Sequence, residues 1–204
     1  TLSINQNKIF VFDENGEKSA DFDAVLTVDG AYKAADFINF CDAYDIPVLS
    51  LTNVKGYAAD VRSEKSIAKA VAKLTYAFAN ANVPKVNVIT GEAYGSAYVT
   101  MNSKALGADV TYAWPDASIG MMDANEAAKI MYADDIAKSA DVQSVISEKA
   151  AEYAALQSGV ESAAARGYVD TIINPEDTRK YVAAAFEMLY TKREDRPDKK
   201  HGTV

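Results

Sequence analysis

An α/β fold is what the order of apolar segments predicts for this 204-residue chain. Short β-rich runs, such as Val86-Asn87-Val88-Ile89, alternate with longer stretches whose apolar residues recur every three or four positions. Strands separated by helical crossovers build a parallel sheet. No linker, internal repeat or low-complexity segment interrupts the pattern, so residues 1–190 are expected to form one domain and 191–204 a charged tail.

Each element has its own signal. Residues 9–12 are β-rich and stop at the turn Asp13-Glu14-Asn15-Gly16. A second apolar run covers 24–28, after which Asp29 is the expected cap of a helix carrying Ala34, Phe37, Ile38 and Cys41. Residues 46–51 read as a buried strand with Pro47 near its start, and a Gly-containing loop occupies 53–62. Residues 63–82 place Ile67, Ala70, Val71, Leu74 and Phe78 on one helical face and Lys65, Lys69 and Lys73 opposite, with a start cap expected within 63–66. Residues 86–90 form the next strand; Gly91, Gly95, Ser96 and Ala97 lead into a helix. A strand at 110–114, two or three helices over 124–166, an extended piece at 168–173 and a closing helix at 178–190 complete the domain.

Composition restricts the chemistry. The formal charge of -8 and pI of about 4.7 argue against nucleic acid as a ligand, since phosphate recognition needs clustered cations. Apolar runs are too short for a membrane span, and a cytoplasmic location is expected. The single cysteine, Cys41, allows no internal disulfide. The start, Thr1-Leu2-Ser3, suggests a processed end or a piece of something longer.

Neither a dinucleotide fingerprint nor an ATP phosphate loop is present. His201 stands in the tail, Cys41 lies on an apolar helix face and Asp134-Asp135 reads as a solvated helix end, so no metal site is expected. Gly95-Ser96-Ala97 resembles a nucleophile elbow, but Tyr98 replaces its closing glycine. A Ser96–lysine pair, with Lys104 or Lys55, would be the hydrolase alternative. The other reading uses no side chain: the amides of Ser96 and Ala97, heading a helix, hold an oxygen that becomes negative. Tight packing of a strand against a helix would also explain the small residues.

Longer motifs favour the amide reading. Asp42-Ala43-Tyr44-Asp45-Ile46-Pro47-Val48, Leu74-Thr75-Tyr76-Ala77-Phe78-Ala79 with Val83-Pro84-Lys85-Val86, and Ala93-Tyr94-Gly95-Ser96-Ala97-Tyr98 stand in order. Ala113-Trp114-Pro115, Arg166-Gly167-Tyr168-Val169-Asp170 and Lys200-His201-Gly202 follow. Together, from about residue 24 to the end, they resemble the carboxyl-terminal half of the biotin-dependent acyl-CoA carboxyltransferases, with Ala93–Tyr98 similar to that family's "KAYGGAY". The resemblance implies a crotonase-like spiral of ββα units with flanking helices. It implies an enzyme component, the biotin-side half, moving a carboxyl group between carboxybiotin and a short acyl-CoA of the propionyl or methylmalonyl class. In that chemistry carboxybiotin gives up CO2, the freed ureido group takes an α-proton from the thioester, and the enolate attacks CO2.

The same resemblance puts the oxyanion-binding amides at Ser96 and Ala97, with Gly56, Tyr57, Tyr94, Gly95 and Val99 around biotin and substrate. The family's "DVPGF" loop stands here as Asn53-Val54-Lys55-Gly56-Tyr57, and Val99 occupies a position where propionyl-preferring members often carry Asp. No Met-Lys dipeptide occurs, so biotin is expected on a separate carrier protein. Implied partners are that carrier, a CoA-binding amino-terminal half or subunit, and further copies of the chain. A stand-alone crotonase-type CoA enzyme, the Ser–Lys hydrolase and a non-catalytic assembly module are the alternatives.

Overall fold

The computed structural model describes residues 2–4, 8–12, 18–139 and 141–194. The expected turn at 13–16, His201 and most of the charged tail lie outside them. Strands β1 (Leu2–Ile4), β2 (Lys8–Phe12) and β3 (Lys18–Asp23) form an antiparallel sheet of their own. Then come β4 (Val25–Leu26), α1 (Val28–Ala43), β5 (Val48–Val54), β6 (Gly56–Tyr57) and α2 (Val61–Asn80). The long strand β7 (Lys85–Tyr94) runs straight into α3 (Gly95–Thr100), followed by β8 (Val110–Ala113) and β9 (Ser118–Gly120). Helices α4 (Ala124–Met131), α5 (Ala133–Lys138), α6 (Val142–Tyr153) and α7 (Val160–Ala165) precede β10 (Thr171–Ile172) and α8 (Thr178–Leu189).

The main sheet is parallel, in the order β10-β8-β7-β5. Alternate residues of β7 serve opposite faces. Ile89 joins a core built with Ala31, Ile38 and Cys41 of α1 and Leu74, Ala77 and Phe78 of α2. Val86 and Val88 join Tyr112, Ile173, Val182 and Ala185 beneath α8. Each large side chain so buried contributes about 1.5–3 kcal/mol. Leu49 and Leu51 of the edge strand pair with Val86 and Val88 but are exposed, so the strand expected to be buried is open on one face.

Four expectations need correction. Thr27, not Asp29, caps α1: its hydroxyl accepts from the Gly30 amide at 3.0 Å, while Asp29 in the first turn pairs with Arg62. Asp60 caps α2 by accepting from the Ser63 amide at 2.8 Å, so that helix starts earlier than 63–66 and the preceding loop contains β6. The strand expected at 86–90 extends to Tyr94, since Glu92, Ala93 and Tyr94 pair with Ser118, Ile119 and Gly120. Residues 124–166 hold four α-helices joined in part by a π-helical turn, Ala154–Ser158.

Carboxylates close the lower ends of the strands. Asp109 accepts from the Lys85 amide at 2.7 Å, and Asp170 accepts from the Thr111 amide at 2.8 Å while gripping the Lys104 ammonium at 2.6 Å. Lys192 reaches back to Asp109 and Glu194, so the chain beyond α8 starts out docked on the sheet. Replacing Asp170 with Ala leaves the Thr111 amide without its acceptor and the Lys104 ammonium with the Asp109 carbonyl at 3.3 Å in place of the carboxylate. Urea titration should show a loss of about 1–3 kcal/mol.

Candidate active site

The site is built on the turn from β7 into α3. Gly95 has φ of +58°, and a Cβ there would lie 2.9 Å from the Met121 carbonyl oxygen. Only glycine satisfies both constraints without strain. Upstream, Gly91 makes room for Asn53, whose Oδ1 sits 2.7 Å from where a Gly91 Cβ would be. That oxygen accepts from the Glu92 amide at 2.9 Å, at the point where the β5–β7 register shifts between Thr52 and Val54. A side chain thus takes the place of a missing ladder bond.

Helix α3 is short but firmly held. Thr100 donates to the Ala97 carbonyl at 2.9 Å and Ser103 to the Val99 carbonyl at 2.8 Å. Thr52, fully buried, donates to Asn87 Oδ1 at 2.7 Å with the Met101 carbonyl as a second, longer acceptor at 3.3 Å, and Asn102 leaves the helix at φ +55° with its side-chain amide on the Val86 carbonyl. At the other end the amides of Gly95, Ser96 and Ala97 have no acceptor one turn back in the helix. With six residues the helix dipole is small, so the local N–H groups carry the electrostatic effect.

A cavity of about 440 Å³ lies along the flank of α3. Gly95, Ser96, Tyr98 and Val99 form one wall; Ala105 and Ser103, the Ile119-Gly120-Met121 strand end, and Ala163, Arg166 and Tyr168 form the rest. The volume is that of an ordinary small-molecule site, and most lining side chains are apolar. Arg166 is the charged residue in the wall, with its guanidinium donating to Gln157 Oε1 of the π-helical turn at 2.9 Å. Tyr98 is 7% exposed, and its hydroxyl has no hydrogen-bond partner among the described residues. Leaving such a group unpaired costs about 1–3 kcal/mol. Burial, with a lesser contribution from Tyr168, pushes this phenol up to about 12, so it stays protonated and can donate.

The residues expected from sequence divide into groups. Gly95, Ser96 and Val99 line the cavity together. Ala97 turns its methyl into the core, on the opposite side of α3. Tyr94 is buried at the end of β7 with its hydroxyl bonded to Ser118; burial raises its phenol. Gly56 and Tyr57 form β6, which packs beside α3 but contributes nothing to the cavity wall. Lys104 is engaged with Asp170. Met121, Arg166 and Tyr168 were not expected in the site, and neither was the part played by Asn53. Among the described residues no group of three or more His, Cys, Asp or Glu could hold a metal, and no helix is long and apolar enough to cross a membrane.

This combination defines a crotonase-like α/β protein with its pocket at a strand-to-helix turn. The transcarboxylase 12S structure, solved with methylmalonyl-coenzyme A and methylmalonic acid bound, matches with a TM-score of 0.83 at 39% identity, over 96% of this chain and 39% of that one. The β subunit of geranyl-CoA carboxylase from P. aeruginosa shares the fold, with a TM-score of 0.75 at 24% identity over 98% of this chain and 39% of the other. The carboxyl transferase domain family matches residues 16–204, and the chain belongs to that family. A propionyl-CoA carboxylase β chain of Bacillus subtilis, itself a putative assignment, is 50% identical over 180 residues, 88% of this chain and 36% of the relative. The methylmalonyl-CoA carboxyltransferase 12S subunit of Propionibacterium freudenreichii is 43% identical over 178 residues, 87% of this chain and 34% of the relative. The chain therefore spans about a third of the length of these relatives.

Two consequences of the local geometry can be measured. Gly95→Ala must strain the turn or displace the Met121 carbonyl, and chemical denaturation should register a loss of about 1–3 kcal/mol. Glu92 sits beside the turn with Oε2 buried and without a partner among the described residues; burial pushes its carboxyl up, opposed by Lys55 and assisted by Asp123. The folded state then holds that proton more tightly than the unfolded chain, so stability falls as pH rises from the ordinary 4.5 through the raised value. Glu92→Gln should have a higher unfolding midpoint than the parent at neutral pH, and the difference should fade in acid below that window.

Proposed function

We propose that this chain is the biotin-side half of an acyl-CoA carboxyltransferase, acting between carboxybiotin and a short acyl-CoA of the propionyl or methylmalonyl class. The observation that carries the reading is that Gly95 and Ser96, within the family motif, form part of the wall of the cavity beside α3. The substrates named for the relatives, propionyl-CoA and methylmalonyl-CoA, support the acyl class. Biotin, when bound, supplies the transferable carboxyl group and the ureido nitrogen that exchanges a proton with the acyl α-carbon.

The residues present fit such a group. The cavity is large enough for a compact bicyclic ring, its walls are mainly apolar, and the bare backbone at Gly95 allows close approach. The amides of Ser96 and Ala97 hold the oxygen on which negative charge develops. In a water-poor site two such donors, already oriented, are worth several kcal/mol. Asn53, Thr52 and Ser103 keep the turn and α3 in place. Val99 presents an apolar surface to the short acyl chain. Biotin arrives on a separate carrier protein, and the CoA-binding half comes from another chain or segment, with further copies of this chain completing the oligomer. The 12S relative is described as a hexamer in a multienzyme core, which supports an assembly of this kind.

Carboxyl transfer should be assayed in an assembly reconstituted with the CoA-binding half. Ser96→Ala keeps its amide and should retain most of the rate. Ala97→Pro removes one amide and should lower the rate by about 100-fold or more, with its fold checked by circular dichroism. The reverse pattern, an inactive Ser96→Ala beside an active Ala97→Pro, would transfer the assignment to serine chemistry.

A further inference from the structure

We propose that a second copy of this chain docks on the open edge of β5, the two β5 strands pairing antiparallel about a two-fold axis so that one sheet runs through both copies. The inference is independent of the biotin-side reading. β5 is the last strand of the main sheet and pairs with β7 alone among the described residues. The Val48 amide donates to the Pro84 carbonyl at 2.8 Å, on the β7 side, and the Lys55 amide donates to the Ala24 carbonyl at 2.9 Å, on the other. Backbone groups alternate in direction along a strand, so those of Leu49 and Leu51 point away from β7. Natural edges are guarded by charge, proline or a bulge, and Val48-Leu49-Ser50-Leu51-Thr52 contains none of these.

The edge is apolar on both faces of the sheet. Leu49 and Leu51 are 42% and 39% exposed on the face that carries α8. On the other face lies α1, which leads into β5. Its Asp29 and Asp36 bridge to Arg62 and Lys73 of α2. At about 100° per residue, Phe37 and Tyr44 then fall on the flank turned away from α2. Phe37, Phe40 and Tyr44 are each more than half exposed, with the Phe40 and Tyr44 rings 4.7 Å apart. A two-fold axis beside β5 turns these flanks toward each other on one face and gathers the leucines on the other. The edge is also self-complementary in charge. When Leu49 faces Leu51 of the second copy, each step forward along one strand is a step back along the other. Asp45, four positions before Leu49, therefore meets Lys55 of the second copy, four positions after Leu51, and the pair recurs across the axis. Both residues are exposed. Opposite charges at both ends of a short ladder fix its register.

Sedimentation velocity of the full chain across micromolar concentrations tests the pairing, with amide hydrogen exchange read by NMR in the same samples. The parent should pass from monomer to dimer, and the Leu49 and Leu51 amides should exchange more slowly as the dimer forms. Leu51→Lys should weaken association by about 30-fold or more. Asp45→Lys and Lys55→Glu each set like charges opposite one another and should weaken it by about 10-fold, whereas the double variant should recover the parent's affinity. Unfolding midpoints are followed throughout, and if Leu51→Lys does not fold, the charge pair decides. A parent that stays monomeric overturns the proposal. So does a dimer indifferent to Leu51→Lys, or a double variant no better than the single ones. Slow exchange of both amides at every concentration assigns the edge to a strand of the same chain, such as β3, and overturns it as well.

Discussion

The close contact between Gly95 and the Met121 carbonyl is the constraint on which the site depends. β7 is buried along nearly its whole length and must pass directly into α3 with no loop to absorb the change of direction. A left-handed glycine pressed against the neighbouring strand makes that turn possible, at a separation no side chain would accept. The turn fixes where α3 begins, and therefore where its leading amides stand. It also brings the end of β9 alongside, which supplies Ile119, Gly120 and Met121 to the same cavity. Thr52, Ser103 and Asn102 then hold the far end of the short helix. Six helical residues with little propensity of their own persist because both ends are tied to the sheet.

One device recurs at the opposite end of the strands. Asp109 and Asp170 each follow a separate segment, yet each turns a carboxylate onto the first amides of a neighbouring strand, Lys85 and Thr111. Asp42 does the same for the Asn82 amide just before β7, at 2.6 Å. Negative groups thus satisfy donors that a parallel sheet leaves open at its lower edge. The cavity lies at the upper end, where strands hand over to helices and the ligand crevice of an open parallel sheet is found.

Much of this architecture was legible in the chain because it is periodic. The 3.6-residue stripe of α2, with Leu74 and Phe78 inward, and the apolar run of β7 depend on local pattern alone. Helix starts were less legible, since Thr27 and Asp29, or Asp60 and Ser63, are equally good caps on paper and only the path of the preceding strand selects between them. The β5–β7 irregularity could not be read from either segment: Asn53 matters because Gly91, 38 positions away, leaves it room. The candidate site divides in the same way. Gly95 and Ser96 stand in a motif at the turn itself, whereas Arg166 and Tyr168, though also part of a motif, reach the cavity from the segment after α7, and their sequence alone does not show that destination. Tyr98 was visible as part of a motif, but the solitude of its hydroxyl exists only in three dimensions.

Cys41, the sole thiol in the sequence, is 1% exposed within the packed face of α1, and burial pushes it up from its ordinary range. It is therefore protonated and sterically shielded, while alkylating reagents require an accessible thiolate. Untreated, the folded molecule offers maleimide dyes no accessible thiol. A cysteine introduced on any solvent-facing position becomes a unique attachment point, so fluorophores or spin labels can be placed around the cavity mouth without first removing the natural residue.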